Sequence, residues 1–340
     1  MDKQTLLESI YSHQDLDLAQ AEFLFGQVMQ GNFSEIEITA LLVGLKTKGE
    51  SESEIAGAAS AMINHAKVFP RPDYAFSDIV GTGGDGHNTI NISSAAALVA
   101  AACGVKVAKH GNKSVSSKSG SSDLFASFGL NLMMSPEVAR KCLDEANFCF
   151  LAAPNYHAGV GHVMPVRNAL KTRTVFNILG PLANPAKPTH GVYGVYTLGL
   201  LPVYADVLSA LGHKNALVVH GAGLDEIAIH GPTTAMQIKN GDIQPITLTA
   251  KDFGAQEAHL VDIQGGLPDE NKGLIEKALL GKGKKAHMDA IAVNAAALLW
   301  VNEKADSLAD CYDMAMTSMM SGAPLEVIQK AASISTESAS

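Results

Sequence analysis

Charge is scarce in this 340-residue chain. Asp, Glu, Lys and Arg make up 17%, and the balance is acidic, with 25 Lys and Arg against 34 Asp and Glu for a net charge of -9. A field of that sign repels nucleic-acid backbones and anionic membrane surfaces, so neither is expected as a partner, and any anion bound must be gripped by a local basic site. Cysteine is rarer still: Cys103, Cys142, Cys149 and Cys311 stand far apart with no CxxC pair. That spacing excludes a disulfide framework and reads as reduced core thiols of a cytoplasmic protein. No run approaches the roughly 18 apolar residues of a membrane span, and the opening MDKQTLLESIYSHQDLDLAQ has neither a basic nor an apolar leader region, so secretion and insertion are not expected. GxSxG, HExxH and Cys/His zinc spacings are missing, which leaves covalent nucleophilic catalysis without a visible agent.

What the chain does hold is 47% hydrophobic residues and 31 glycines, enough for a large buried core with tight turns. Residues 1–67 read as helix throughout. Ser34-x-x-Glu37 and Ser51-x-x-Glu54 are capping boxes, Gly31 and Gly49 fall where helices end, and Ile38, Leu41, Leu42 and Leu45 recur at helical spacing. Pro70 and Pro72 in FPRP bar helix continuation and place a boundary there. Beyond it, short apolar runs (DIVGTG, VKVAKHG, FCFLAAP, GVYGVY, ALVVHG) alternate with helical stretches. This predicts an α/β fold in which a small helical domain, 1–70 joined by part of 165–185, precedes a larger α/β domain, 71–340, with a mostly parallel central sheet. TAMQIKN and IQPITLT, joined at Asn240-Gly241, predict a hairpin. From about His287 the tail returns to helix.

Three stretches carry chemistry. GTGGDG at 81–86 follows an apolar run and precedes an Ala-rich helix, so it formally satisfies GxGxxG. A dinucleotide site, however, needs an acid about 20 residues on, at the end of the next strand, and that strand ends instead in Lys109-His110. A basic strand end suits phosphate, with backbone N–H groups of the loop and the helix start at Asn91–Ser94 as donors; the alternative is a tight strand-to-helix turn. The second stretch, 109–123, carries three lysines and one aspartate in a Ser/Gly-rich context, either a phosphate grip or a flexible basic loop. The third is Asp225-Glu226 after ALVVHGAG: two neighbouring carboxylates suit magnesium, which takes one or two protein carboxylates plus waters and ligand phosphates, although a helix N-cap would look the same. Arg167, Lys171 and Arg173 form a basic trio, with Arg167 and Lys171 spaced to share a helical face. Arg167 is the one matched to a benzoate carboxylate, by its bidentate fork. His110 is either a donor to a ligand oxygen or a structural histidine; His157 is pocket or surface, His162 surface.

These stretches together resemble the anthranilate phosphoribosyltransferase family, which transfers phosphoribose from phosphoribosyl pyrophosphate to anthranilate in tryptophan biosynthesis. VGTGGDG at 80–86, NISS at 91–94, KHGN at 109–112, SGSSD at 119–123, MPVR at 164–167, RTVFNILGPLANP at 173–185 and LDE at 224–226 follow the family's motifs in order over nearly the whole chain. The resemblance implies a nucleoside phosphorylase-like fold with the site in the cleft between domains, a homodimer, and Mg2+ as cofactor. By motif, phosphoribosyl pyrophosphate would be held by Gly81, Gly84, Asp85, Thr89, Asn91, Ile92, Ser93, Ser94, Lys109, His110, Gly111, Asn112, Lys113, Ser114, Val115, Ser116, Ser117 and Ser121. Anthranilate would meet Gly81, Asn112 and Arg167, and magnesium Ser93, Asp225 and Glu226. No acid or base is assigned. The sequence departs from the family pattern at Lys113, Gly161, Ser94 and Gly221-Ala222. A pyrimidine nucleoside phosphorylase and a non-catalytic anion-binding regulator are the rival readings; Asp225-Glu226 with FNILGPLANP favours the transferase over the first, and the intact Asp-Glu pair argues against the second.

Overall fold

The structure is a computed structural model that describes residues 2–112 and 120–337. Four helices open the chain: α1 (Lys3–Tyr11), α2 (Leu18–Met29), α3 (Glu35–Lys48) and α4 (Glu52–Asn64). Both capping boxes form as the sequence predicts, the Ser34 and Ser51 side chains accepting from the amides of Glu37 and Glu54 while each glutamate reaches back to its serine's N–H. The linker around Pro70 has no regular structure and is tied to the larger domain. Lys67 N–H donates to the Tyr156 carbonyl at 2.8 Å, and Arg140 Nη1 to the Pro70 carbonyl at 2.9 Å.

The rest alternates strand and helix: β1 (Ser77–Gly81), α5 (Ile92–Ala102), β2 (Val107–Gly111), α6 (Ser121–Ser127), α7 (Pro136–Ala146), β3 (Phe148–Ala152), the single turn α8 (Ala153–Tyr156), α9 (Met164–Leu170), β4 (His190–Gly194), α10 (Leu200–Ala210), β5 (Asn215–Gly221), β6 (Thr233–Lys239), β7 (Asp242–Leu248), α11 (Pro268–Leu279), α12 (Lys285–Val301), α13 (Leu308–Ser321) and α14 (Ala323–Ser335). The strands form one sheet in the order β3-β2-β1-β4-β5-β6-β7. It is parallel from β3 to β5 and antiparallel from β5 to β7. The molecule is thus a small helical N-terminal domain and a larger α/β domain built on a mostly parallel sheet. β6 and β7 are joined by the expected turn, Asn240 and Gly241 both at positive φ (52° and 92°).

Strand β3 is buried at every position, because helices cover both faces of a parallel sheet. One face packs against α5, α7 and α12–α14; α12, buried along nearly its whole length with apolar residues around most of its circumference, is sunk in this core. The other face packs through α10 onto the helical domain, in a core that also takes Val163, Val166, Val175, Phe176 and Leu179 from the chain between β3 and β4. That second core places the helical domain beside the carboxyl ends of β1 and β4. The four cysteines form no disulfide, and burial raises all of their thiols above the ordinary value.

Candidate active site

From β1 the chain runs outward in one direction through β2 to β3, then returns to the far side of β1 for β4, so a crevice opens where the carboxyl ends of β1 and β4 diverge. Strands β1, β4 and β5 each end in glycine there. A tight turn at Gly221–Leu224, with Ala222 at φ 48°, folds the chain back so that Asp225 and Glu226 sit against those ends. A Cβ on Gly81 would stand 2.2 Å from Asp225 Oδ2, one on Gly194 1.7 Å from the Asp225 carbonyl, and one on Gly221 2.2 Å from the Glu226 carbonyl. The missing side chains are what let the carboxylate pair in. No helix follows the pair, so the N-cap alternative falls away.

The glycine loop and the start of α5 then meet the acids from above. Gly83 N–H donates to Asp225 Oδ2 at 2.5 Å, and Ser93 N–H, in the first turn of α5, donates to Glu226 Oε1 at 3.2 Å. Gly83 and Gly84 both lie in the left-handed region (φ 69° and 83°), a succession that only glycine tolerates cheaply. Burial raises the Asp225 carboxyl above the ordinary range, with Asp85 adding to it and the Gly83 amide opposing. Glu226 is raised by burial and then by Asp225, against the pull of Lys109. Two carboxylates whose joint ionisation the surroundings oppose, with Ser93 alongside, match the donors that magnesium takes when diphosphate oxygens and water complete its shell.

Beneath this pair runs a buried polar seam. Lys109 is 2% exposed and its ammonium donates to the Ile79 carbonyl. Burial lowers its pKa, and the charges of Asp78, Glu226 and Asp225 oppose that. Asp78, wholly buried, accepts from Ile79 N–H at 2.8 Å, from His110 N–H at 3.3 Å and from Asn184 Nδ2 at 2.8 Å, and so ties β1, β2 and the chain ahead of β4 together. Even so paired, burial pushes it up to about 6. His110 Nδ1 bonds to the Gly180 carbonyl at 3.0 Å, and its ring meets that of His157 edge-on at 5.2 Å. On the helical side, Arg167 projects from α9 half-buried, its guanidinium 5.9 Å from the Phe176 ring, and no acid pairs with it among the described residues.

Two family models match the chain: the helical bundle domain of a glycosyl transferase family over residues 4–66, and the α/β domain of that family over residues 73–325. An anthranilate phosphoribosyltransferase of Tolumonas auensis is 54% identical over 329 residues, covering 97% of this chain and 98% of its own. The crystal structure of the anthranilate phosphoribosyltransferase of Thermus thermophilus superposes with a TM-score of 0.93 at 36% identity, covering 98% and 99% of the two chains. The Saccharomyces cerevisiae enzyme, solved in complex with PRPP and Mg, follows at a TM-score of 0.88 and 29% identity, covering 98% of this chain and 99% of its own. The chain belongs to the anthranilate phosphoribosyltransferase family.

The residues that the family motifs single out gather at this crevice with some differences from expectation. Gly81, Gly84, Asp85, Ser93 and the Asp225-Glu226 pair line it. Ile92 and Ser94 are instead buried in the first turn of α5, so any contribution from Ile92 and Ser94 runs through the backbone. Thr89 bridges to Gln264, and Asn91, the N-cap of α5, accepts from Asn271 at 3.1 Å, which pins the far end of the loop to α11 and the segment before it. At the end of β2, Gly111 approaches Ser121 and Phe150 too closely for a side chain, and Ser121 Oγ donates to the Asn112 carbonyl at 3.2 Å. Lys113, Ser114, Val115, Ser116 and Ser117 lie outside the described residues. Lys109, read from sequence as a phosphate ligand at a strand end, is a buried counter-charge under the carboxylates. Lys171 does not share the face of Arg167: the helix ends at Leu170, and Lys171 follows in the left-handed region (φ 47°) with its side chain exposed. His157 is buried and His162 exposed. Gly161 is exposed, with nothing within 4 Å of where a Cβ would stand. Sequence reading missed Asp78, Asn184 and Gly194. The available signal was an acid and a glycine inside otherwise apolar strand runs.

Proposed function

We infer that this chain transfers the phosphoribosyl group from phosphoribosyl pyrophosphate to the amine of anthranilate, releasing pyrophosphate, as a step of tryptophan biosynthesis. The observation that carries the inference is the Asp225-Glu226 pair, held at the crevice of the sheet between the Gly83 amide and the first turn of α5. Asp225, Glu226 and Ser93 would hold magnesium there, and the ion would supply positive charge to the departing diphosphate. The chain's own part is to orient. Loop amides and the N-terminus of α5 present donors to phosphate oxygens, and their direction is fixed before the ligand arrives. Arg167 takes the anthranilate carboxylate in a two-bond fork, which turns the ring amine toward the ribose. The C1–O bond to pyrophosphate breaks, the amine nitrogen bonds to C1, and the nitrogen sheds its proton to solvent. Holding two reactants in line is worth roughly 7–11 kcal/mol in favourable cases, so no dedicated base is needed.

The reading extends to a homodimer in the cytoplasm with a helical domain of residues 1–70 and part of 165–185, and to phosphate contacts from residues 110–117 and Ser121, with Lys109 acting beneath them as a buried counter-charge. It is supported by the order of the motifs along the chain. Among the described residues, no helix is long and apolar enough to cross a membrane. Loss of anthranilate fluorescence on adding phosphoribosyl pyrophosphate and magnesium to the purified protein tests the reading; unchanged fluorescence under those conditions overturns it.

A further inference from the structure

Arg173 belongs to the basic trio and is exposed, yet its guanidinium is engaged at both edge and face. Its Nη2 donates to the Gly84 carbonyl at 2.7 Å, and its guanidinium carbon lies 4.0 Å from the centre of the Tyr196 ring. No carboxylate pairs with it among the described residues. Tyr196 is itself fastened to the base of the glycine loop: its N–H donates to Thr82 Oγ1 at 3.1 Å, and Thr82 N–H donates to the Gly194 carbonyl at 3.0 Å. Behind Arg173, Lys46 in the last turn of α3 donates to the Arg173 carbonyl at 2.8 Å and to Thr172 Oγ1 at 2.7 Å. One residue therefore links the helical domain, the chain after β4 and the tip of the loop.

We propose that Arg173 is a positioning residue that holds the glycine loop in the form that receives the diphosphate. The proposal rests on the function inferred above and adds a residue to it. Consecutive glycines have more backbone states to lose on ordering than any other residues, so a loop with Gly83 and Gly84 at its tip needs outside restraint. Two of the ties on the tip act from opposite sides. On the inner side, Gly83 N–H is held by Asp225; on the outer side, the Gly84 carbonyl is held by Arg173. Because the peptide unit is planar and trans, fixing the Gly84 carbonyl toward Arg173 also aims the Asp85 N–H away from it. Arginine suits this post, since its flat face stacks on an aromatic ring while its edge donates in plane. Lysine makes one contact or the other.

The test compares the parent with Arg173→Ala, Arg173→Lys and Tyr196→Ala. Amide hydrogen exchange over residues 82–87 is followed in the unliganded proteins, together with calorimetric titration of phosphoribosyl pyrophosphate and magnesium and steady-state kinetics in each substrate. Arg173→Ala is expected to speed exchange of the loop and to raise the Kd and KM for phosphoribosyl pyrophosphate about tenfold. The anthranilate KM, the kcat at saturation and the melting temperature stay near parent values. Arg173→Lys recovers part of the loss, and Tyr196→Ala reproduces it. A rise in anthranilate KM instead would make Arg173 a ligand of the aromatic acid and overturn the proposal, as would loop exchange and phosphoribosyl pyrophosphate affinity equal to the parent's. Failure of the parent itself to consume anthranilate would count against the inferred function alone, because the exchange measurement judges the loop restraint without turnover.

Discussion

On the floor of the crevice every functional group is already bonded to another: Gly83 to Asp225, Ser93 to Glu226, Lys109 to the Ile79 carbonyl, Asp78 to three N–H donors. On the helical wall, Arg167 lies over the ring of Phe176, and no acid pairs with it among the described residues. The floor is built from strand ends, where the sheet fixes positions to within the tolerance of its hydrogen bonds, and its donors and acceptors satisfy one another until a ligand replaces them. The wall is a two-turn helix whose cation is paired with no acid among the described residues. Floor residues govern whether the reaction occurs, and the wall residue governs how well one substrate is held. Substitutions on the two sides should separate along that line.

The largest effect is expected from the floor. Asp225→Asn with Glu226→Gln should lower turnover by about 10³-fold or more, the scale on which removing preorganised charge at a leaving group acts. The melting temperature should hold or rise in the absence of metal, since two mutually opposed buried carboxyls become neutral amides. Excess chelator should bring the parent to the same rate. Turnover surviving in the double variant, measured by anthranilate fluorescence, would remove the metal site from the floor.

A second prediction moves the floor without changing its chemistry. Gly81→Ala puts a methyl group 2.2 Å from Asp225 Oδ2, so the carboxylate has to shift. A displacement near 1 Å at a reacting centre costs on the order of 100-fold in rate, and magnesium affinity should fall with it. Kinetics and a metal titration read both. Parent-like values would mean that Asp225 has slack the strand ends do not show.

Across the cleft the expected change is smaller and of another kind. Arg167→Ala should raise the anthranilate KM by roughly 10- to 100-fold, from the loss of a bond worth about 1.5–3 kcal/mol to a charged group, with phosphoribosyl pyrophosphate affinity little altered. Arg167→Lys should recover part of it, because an ammonium restores charge without the fork. Equal losses in both substrates would erase the division between floor and wall.

That division also marks what sequence alone reveals. The strands, the hairpin at Asn240-Gly241 and both capping boxes follow from local chemistry, period and turn residues within a few positions of each other, so they are legible without the fold. The carboxylate pair is legible as chemistry but not as placement: its position depends on glycines at the ends of β1, β4 and β5, the first of them more than a hundred residues before the other two. Asp78 looks like a stray acid in DIVG until β2 and Asn184 close around it. Lys109 looks like a phosphate ligand until β2, buried on both faces, encloses it, and Lys171 loses its helical neighbour because α9 stops one residue earlier.

Protonation sharpens the contrast most finely. On the floor, burial and neighbouring acids raise Asp225 and Glu226, so between the unfolded values near 4 and their own, the folded chain keeps protons that the unfolded chain has lost. Stability from these groups fades as pH rises, and a bound cation in place of the proton should reverse that. Beside the wall, His110 has the opposite sign: burial, then the charges of His157 and Lys109, push it down to about 3. Unfolded, a histidine titrates near 6.5, so below that pH the unfolded chain takes up a proton that buried His110 refuses. Its contribution is intact above pH 6.5 and declines as pH falls toward 3, by up to about 1.4 kcal/mol per pH unit. Since the raised carboxylates pull the other way in the same range, the measurement is a difference. Urea unfolding of the parent and of His110→Gln at pH 7.5, 6 and 5 should show the parent losing ground to the variant at each step down. A gap that stays constant with pH would mean that His110 accepts its proton in the folded state, so that the edge-on pair with His157 opens to charge as readily as the exposed side of the cleft.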